Sequence, residues 1–166
     1  MQQHRLILMR HAKSDWSQPS TGDHDRSLNT RGQAAAPKMA RWLFSSGHLP
    51  DLILASTARR VRETVSGMMS NWDPRPPVYE SESLYLATPE AILQAVRTDS
   101  LDKASVMVVA HNPGMQYLAS QLASRELQFP TAAIAIFEFQ IESWQQLAIS
   151  SDVKLVDYVF PKGLED

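Results

Sequence analysis

Three short apolar runs, Leu6-Ile7-Leu8-Met9, Leu52-Ile53-Leu54-Ala55 and Val106-Met107-Val108-Val109-Ala110, constrain the fold of this chain more than any other feature. Each is aliphatic without interruption, the pattern of a strand covered on both faces. Segments with helical spacing lie between them. Strands that alternate with helices predict an α/β three-layer sandwich, a mostly parallel central sheet flanked by helices. Ligands in such a sheet bind outside the carboxyl ends of the strands. There the three runs deliver Arg10-His11, the cluster Arg59-Arg60-Val61-Arg62, and His111.

The apolar pattern predicts strands over 5–10, 52–56, 105–110 and 133–139, with weaker ones near 78–80, 145–149 and 154–159. A first helix starts near Thr30, where Thr30 and Gln33 have capping-box spacing, and runs to about Ser46; Pro37 inside it should bend or interrupt it. A second runs from about Ala58 to Trp72, capped by Ser56 or Thr57, with Val61, Val65, Met68 and Trp72 on one face. A third opens at Thr88-Pro89 and a fourth after Asn112-Pro113, each pairing a cap residue with a following proline. Residues 14–29 show no periodicity. A connection that long in a compact domain is usually functional, and this one leaves directly from Arg10-His11, so it should rim or cover the site.

At 166 residues, 43% hydrophobic and 20% charged, the chain fits one globular domain, residues 1–166. It has no cysteine, which removes disulfides, thiolate nucleophiles and cysteine-zinc sites together. No stretch is long and apolar enough to span a bilayer, and the N-terminus has no signal-peptide pattern. A soluble protein of the cytoplasm, with no membrane partner, is the expectation. Net charge is −2, yet residues 1–62 carry ten Lys/Arg against four Asp/Glu. That basic half holds the Arg-His motif and suits an anionic substrate group. The bases form no long run and no stripe interleaved with aromatics, so nucleic acid is not an expected partner.

A tetrahedral phosphoryl group needs a nucleophile in line and fixed donors for its oxygens. A neutral imidazole can attack phosphorus and form a covalent intermediate, and arginine supplies a permanent charge on a planar fork of N–H groups. His11 is the candidate nucleophile. Arg10 adjoins it, and one of Arg59, Arg60 and Arg62 can reach it from the start of the second helix. His111 lies before the start of the fourth helix, where free N–H groups favour anions. Such a set requires no metal and no cofactor. His4, His24 and His48 read as solvent or loop residues.

Taken together these residues resemble the histidine phosphatase superfamily, which has the phosphoglycerate mutase-like fold. Leu8-Met9-Arg10-His11-Ala12 is similar to its Arg-His-Gly signature, Ser56-Thr57-Ala58-Arg59-Arg60-Val61-Arg62-Glu63-Thr64 to its Ser-Pro-x-x-Arg-Ala-x-x-Thr segment, and Val109-Ala110-His111-Asn112-Pro113-Gly114 to its second-histidine segment. Arg10 to Trp16, Asp25 to Gly32 and Phe160-Pro161-Lys162 resemble the SixA-like phosphohistidine phosphatases within it. The resemblance implies that His11 takes the phosphoryl group, that Arg10, Arg60 and His111 hold its oxygens, and that water then hydrolyses phospho-His11. Its register selects Arg60 over Arg59 and Arg62. Ser17, where many relatives place an asparagine, and Asn112 are the further substrate-binding candidates.

The chain departs from the family pattern at Ala12 in place of Gly, at Thr57 in place of Pro, and at Leu86. Relatives that cleave phosphate esters often carry a proton-donating glutamate at the last position. An alkoxide leaves poorly without a general acid, whereas the imidazole of phosphohistidine leaves readily. The resemblance therefore implies a phosphatase for phosphohistidine in a protein. Glu80, Glu82 and Asp15 are the possible substitute acids. The rival readings are a small phosphorylated substrate, cleaved by a phosphomonoesterase or handled by a mutase-type phosphotransferase, and a non-catalytic phosphate-binding module.

Overall fold

Alternation of side-chain direction along the central strands, which are buried on both faces, divides the core in two. The computed structural model describes residues 2–164. Strand β1 (Gln2–Arg10) sends Leu6 and Leu8 into one apolar cluster and Ile7 and Met9 into the other. β2 (Leu52–Ser56) splits Leu54 from Ile53 and Ala55, and β4 (Ser105–Ala110) splits Val106 and Val108 from Met107 and Val109. With β3 (Val78–Ser81), β5 (Ile134–Ile141) and β6 (Val153–Val159) they form one six-stranded sheet in the order β3-β2-β4-β1-β5-β6. The four strands β3, β2, β4 and β1 run parallel, while β5 and β6 pair antiparallel at the other side.

Helices α1 (Thr30–Ser45) and α2 (Arg59–Met69) cover one face. Helices α3 (Pro89–Asp99) and α4 (Gly114–Ala123) cover the other. The result is the three-layer α/β sandwich, mostly parallel, that the apolar runs predict. Among the described residues no helix is long and apolar enough to cross a membrane.

Several local expectations change. Asn29, one residue earlier than Thr30, caps α1, its side chain accepting from the Gly32 N–H at 2.9 Å. The helix runs unbroken through Pro37. There α1 packs closely on α2, where a Cβ added at Gly67 would stand 3.2 Å from the Ala36 Cβ and 4.0 Å from the Pro37 Cδ, and this tertiary packing outweighs the local cost of proline. Helix α2 is shorter than its apolar spacing implies, ending at Met69. Trp72 is still buried beyond it, because its indole N–H donates to the Ala40 carbonyl. Residues 145–149 form no strand: a 3-10 turn at Trp144–Gln146 anchors Trp144 and Leu147 in the core, which mimics strand alternation.

The helix α4 start also differs from that of α3. Thr88 caps α3 through its hydroxyl, whereas α4 begins after Pro113, with the Asn112 side chain accepting from Gln116 N–H in the first turn. His4 and His48 are buried rather than solvent-facing. His4 sits edge-on to Trp144, and His48 lies 3.1 Å from the Asp157 carboxylate. His24 is exposed, as expected, but it is not idle: its ring meets the Thr57 hydroxyl and the edge of Tyr85.

Candidate active site

The parallel register sets Arg10 beside Ala110, so the residues that follow β1 and β4 emerge together. His11 N–H donates to the Ala110 carbonyl, and the His11 and His111 ring centroids lie 5.2 Å apart. The next strand, β2, contributes Ser56, whose hydroxyl is 2.7 Å from His111 Nε2. Arg60 reaches the same place from the first turn of α2. It is buried, while its neighbours Arg59 and Arg62 turn outward onto Glu63 and Glu80.

The hydrogen bonds assign the tautomers. His11 Nδ1 lies 2.7 Å from its neighbour's carbonyl, Ala12 O, and must carry the proton to donate there. Its Nε2 is then a free lone pair, and Arg60 Nε donates to it at 3.3 Å. Arg60 Nη2 is 3.2 Å from His111 Nδ1, so His111 carries its proton on Nε2 and gives it to Ser56. Burial, and then the charges of Arg60, Arg10 and Arg26, take the His11 ring down to about 3, against the opposing bond to Ala12. Burial, with the charges of His11 and Arg60, lowers His111 to about 3 as well. Both rings are neutral over the physiological range, as a nitrogen nucleophile requires.

Behind this pair, Thr64 ties helix to strand. Its hydroxyl donates to Arg60 O at 2.7 Å and accepts from Ala12 N–H at 3.0 Å. The Ala12 backbone needs no glycine, since its φ is not positive; Thr64 holds its N–H, and the Ala132 N–H bonds the preceding carbonyl, His11 O. Gly32 is required by close approach, since a Cβ there would stand 2.2 Å from the Lys13 carbonyl oxygen. This contact clamps the chain just after His11 onto α1.

The four principal candidates, Arg10, His11, Arg60 and His111, line one cavity of about 250 Å³, together with Asn112. Arg10 Nη1 donates weakly to Phe129 O, and its buried Nε has no partner among the described residues. Burial and the charge of Arg60 lower the Arg10 guanidinium from its ordinary value. Asn112 holds the Phe129 carbonyl at 2.8 Å and so brackets the cavity wall. Ser17 is not brought in: it is exposed, its N–H donates to the Asp15 carboxylate, and it does not line the cavity.

The 14–29 connection supplies residues that periodicity could not reveal. It is pinned by a bridge between Ser14 and Leu28 and by a 3-10 turn at Asp23–Asp25. Its Asp23 carboxylate accepts from Arg60 and Arg26 at 3.1 Å each, and from the Tyr85 hydroxyl. Burial alone would raise the Asp23 carboxyl. The bonds from Tyr85 and Arg26 and the charge of Arg60 outweigh it, holding the group well below the usual carboxylate range. Arg26 is buried, bonded to Ser14, and stacked 3.5 Å over the exposed ring of Trp16. The cavity therefore gathers Arg10, Lys13, Arg26 and Arg60 against one carboxylate, and its balance favours an added anion.

None of the proposed substitute acids is suited to protonate a leaving group. Glu80 pairs with Arg62, Glu82 lies on an exposed turn, and Asp15 is bonded by Ser17 and held below its ordinary value. Asp23 is ionised. Leu86 does line the cavity, half-exposed and with φ of 51°, and has no proton to give.

The chain as a whole has counterparts among known proteins. The sequence profile of the histidine phosphatase superfamily (branch 1) matches residues 6–85. An uncharacterized chloroplastic protein of Arabidopsis thaliana is 35% identical over 151 residues, which cover 86% of this chain and 69% of that protein. The crystal structure of SixA from Agrobacterium tumefaciens, a candidate phosphohistidine phosphatase, superposes with a TM-score of 0.81 at 29% identity, over 95% of this chain and 98% of that one. A protein histidine phosphatase SixA complexed with tungstate shares the fold, with a TM-score of 0.80 at 21% identity over 97% of this chain and 99% of that one.

Proposed function

Because the chain belongs to the histidine phosphatase superfamily, we propose that it is a metal-independent phosphatase that works through a phosphohistidine on His11, and that its substrate is phosphohistidine in a protein. The observation that carries this reading is the His11 tautomer. The bond from Nδ1 to Ala12 O fixes the ring, and the Nε2 lone pair faces the cavity beside Arg60.

In the first step Nε2 attacks phosphorus in line, and the bond to the leaving group breaks. The leaving imidazole takes its proton from solvent. Arg10 and Arg60 receive the equatorial oxygens, whose charge they match with N–H forks. In the second step water attacks phospho-His11, releasing inorganic phosphate and returning the ring to its neutral form. The lack of a protonated carboxyl group among the described residues of the cavity supports a substrate whose leaving group needs none. Phosphoramidates meet that condition and ordinary alkyl phosphates do not. The exposed Trp16 and Leu86 at the cavity rim are consistent with a macromolecular substrate.

The test is a substrate panel of a phosphohistidine protein, phosphoramidate and a sugar phosphate, with acid-quench trapping of labelled enzyme. The expected result is turnover of the first two, an acid-labile phosphoryl group on the chain, and loss of both in His11→Ala. Full activity of His11→Ala overturns the mechanism; preference for the sugar phosphate overturns the substrate.

A further inference from the structure

A second cavity, of about 240 Å³, adjoins the catalytic one and shares Lys13 and Thr131 with it. Arg31 enters it from the exposed first turn of α1, and Lys162 from the 3-10 turn that follows β6. Three cations thus converge on one hollow whose lining, among the described residues, includes no carboxylate. None of the three makes an ion pair among the described residues. The hollow beside α2 shows the usual alternative: it gathers Arg62 and Arg75 but also Glu80, bonded to Arg62 at 2.7 Å.

The cations are held there by ordered backbone. Gly32 clamps Lys13 against α1, which places Lys13 and Arg31 side by side. Phe160 packs onto the core and against Tyr158, and the turn after it is closed by the Gly163 N–H bond to Phe160 O. Like charges brought together without compensation repel one another, and the fold gains nothing from them unless an anion arrives. Apart from Thr131 the remaining walls, Ala35, Pro130, Phe160 and Pro161, are apolar and suit the methylene stem of an acidic side chain.

We infer that this cavity is a subsite for acidic side chains flanking the phosphorylated residue of a protein substrate. The inference rests on the phosphatase reading and refines its substrate. The phosphoryl group enters the catalytic cavity, and an Asp or Glu of the same polypeptide lies across Lys13 between Arg31 and Lys162. The subsite acts on binding, not on the chemical step.

The experiment compares two phosphohistidine peptides, one with Glu and Asp around the phosphorylated residue and one with Gln and Asn. It uses the full chain and the double variant Arg31→Ala/Lys162→Ala, with phosphoramidate as a control lacking any flank. The unvaried chain should prefer the acidic peptide by about fivefold in KM, in line with two exposed ion pairs. The double variant should lose that preference and hydrolyse phosphoramidate as before. Equal preference in both proteins, or an equal fall on phosphoramidate, overturns the inference. So does the same fall on a small bisphosphorylated ester, which would assign the cations to a second phosphate. Absence of phosphoramidate hydrolysis by the unvaried chain strikes the phosphatase reading instead. Anisotropy of a labelled, unphosphorylated acidic peptide still reads the subsite in that case: binding lost in the double variant supports it, and binding unchanged refutes it.

Discussion

Arg60 donates from Nε to His11 Nε2 at 3.3 Å and from Nη2 to His111 Nδ1 at 3.2 Å, so one buried guanidinium binds both imidazoles of the cavity. A phosphoryl group arriving at His11 Nε2 would meet those N–H donors first. Arg59, the preceding residue, spends its Nε on Glu63 at the surface.

Arg60→Ala should therefore lower kcat by roughly 10²–10³, the usual loss when a donor to transferring charge is removed. Arg59→Ala should leave kcat within about twofold, as for an exposed i,i+4 pair. Steady-state kinetics on phosphoramidate decide this. The reverse ranking would mean that Arg59 carries the phosphate contact.

Asp23 holds Arg60 and Arg26, and its charge competes with any oxyanion that enters the cavity. Asp23→Asn keeps an acceptor for the two arginines and removes the competing charge. Tungstate or inorganic phosphate should inhibit this variant more tightly, by about tenfold, since one unit charge at hydrogen-bond range through a semi-polar medium is worth at least that factor. Weaker inhibition would assign Asp23 chiefly to orienting Arg60.

Thr64 joins Ala12 N–H to Arg60 O within the buried layer. Thr64→Val preserves shape and leaves the Ala12 N–H without a partner, at a cost of about 1–3 kcal/mol. Thr64→Ser keeps the hydroxyl and should cost less. Chemical denaturation of the two variants checks the order; similar losses would show that the methyl group, not the hydroxyl, matters.

The two imidazoles of the candidate site should make the fold sensitive to mild acid. In the folded chain both stay neutral down to about 3, whereas in the unfolded chain they titrate near their ordinary 6.5. Between those values the unfolded state binds protons that the folded state excludes. Stability should be flat above pH 6.5 and fall as pH drops below it, by up to ~1.4 kcal/mol per unit for each ring. Thermal melts from pH 7 to pH 4.5 should show this decline, and His111→Asn should make it shallower. That window lies above the range where Asp23 titrates. A melting temperature that does not change across it contradicts the buried, neutral pair.

How much of this was legible beforehand depends on how local each determinant is. The central strands were readable because two-sided burial leaves an uninterrupted apolar run, and the strand ends were readable because the polar residue follows directly. Those grounds account for Arg10, His11 and His111 meeting at one cavity. Arg60 needed the family resemblance, since three arginines within four residues offer no local basis for choosing the one that turns inward. The capping at Asn29 and the unbroken passage through Pro37 escaped because a one-residue shift and a close helix contact decide them.

The sequence by itself determined the layered sheet and the edge at which chemistry gathers, since periodicity and strand ends are encoded within a few neighbouring residues. Only the tertiary structure placed Asp23 and Arg26 in the cavity and left Ser17 outside it. Asp23 takes its position from Arg60, 37 residues away, and from Tyr85, 62 residues away. Within an aperiodic loop no spacing rule marks which carboxylate will find such distant partners, because the bonds that fix it exist only after the sheet and α2 have brought those partners together.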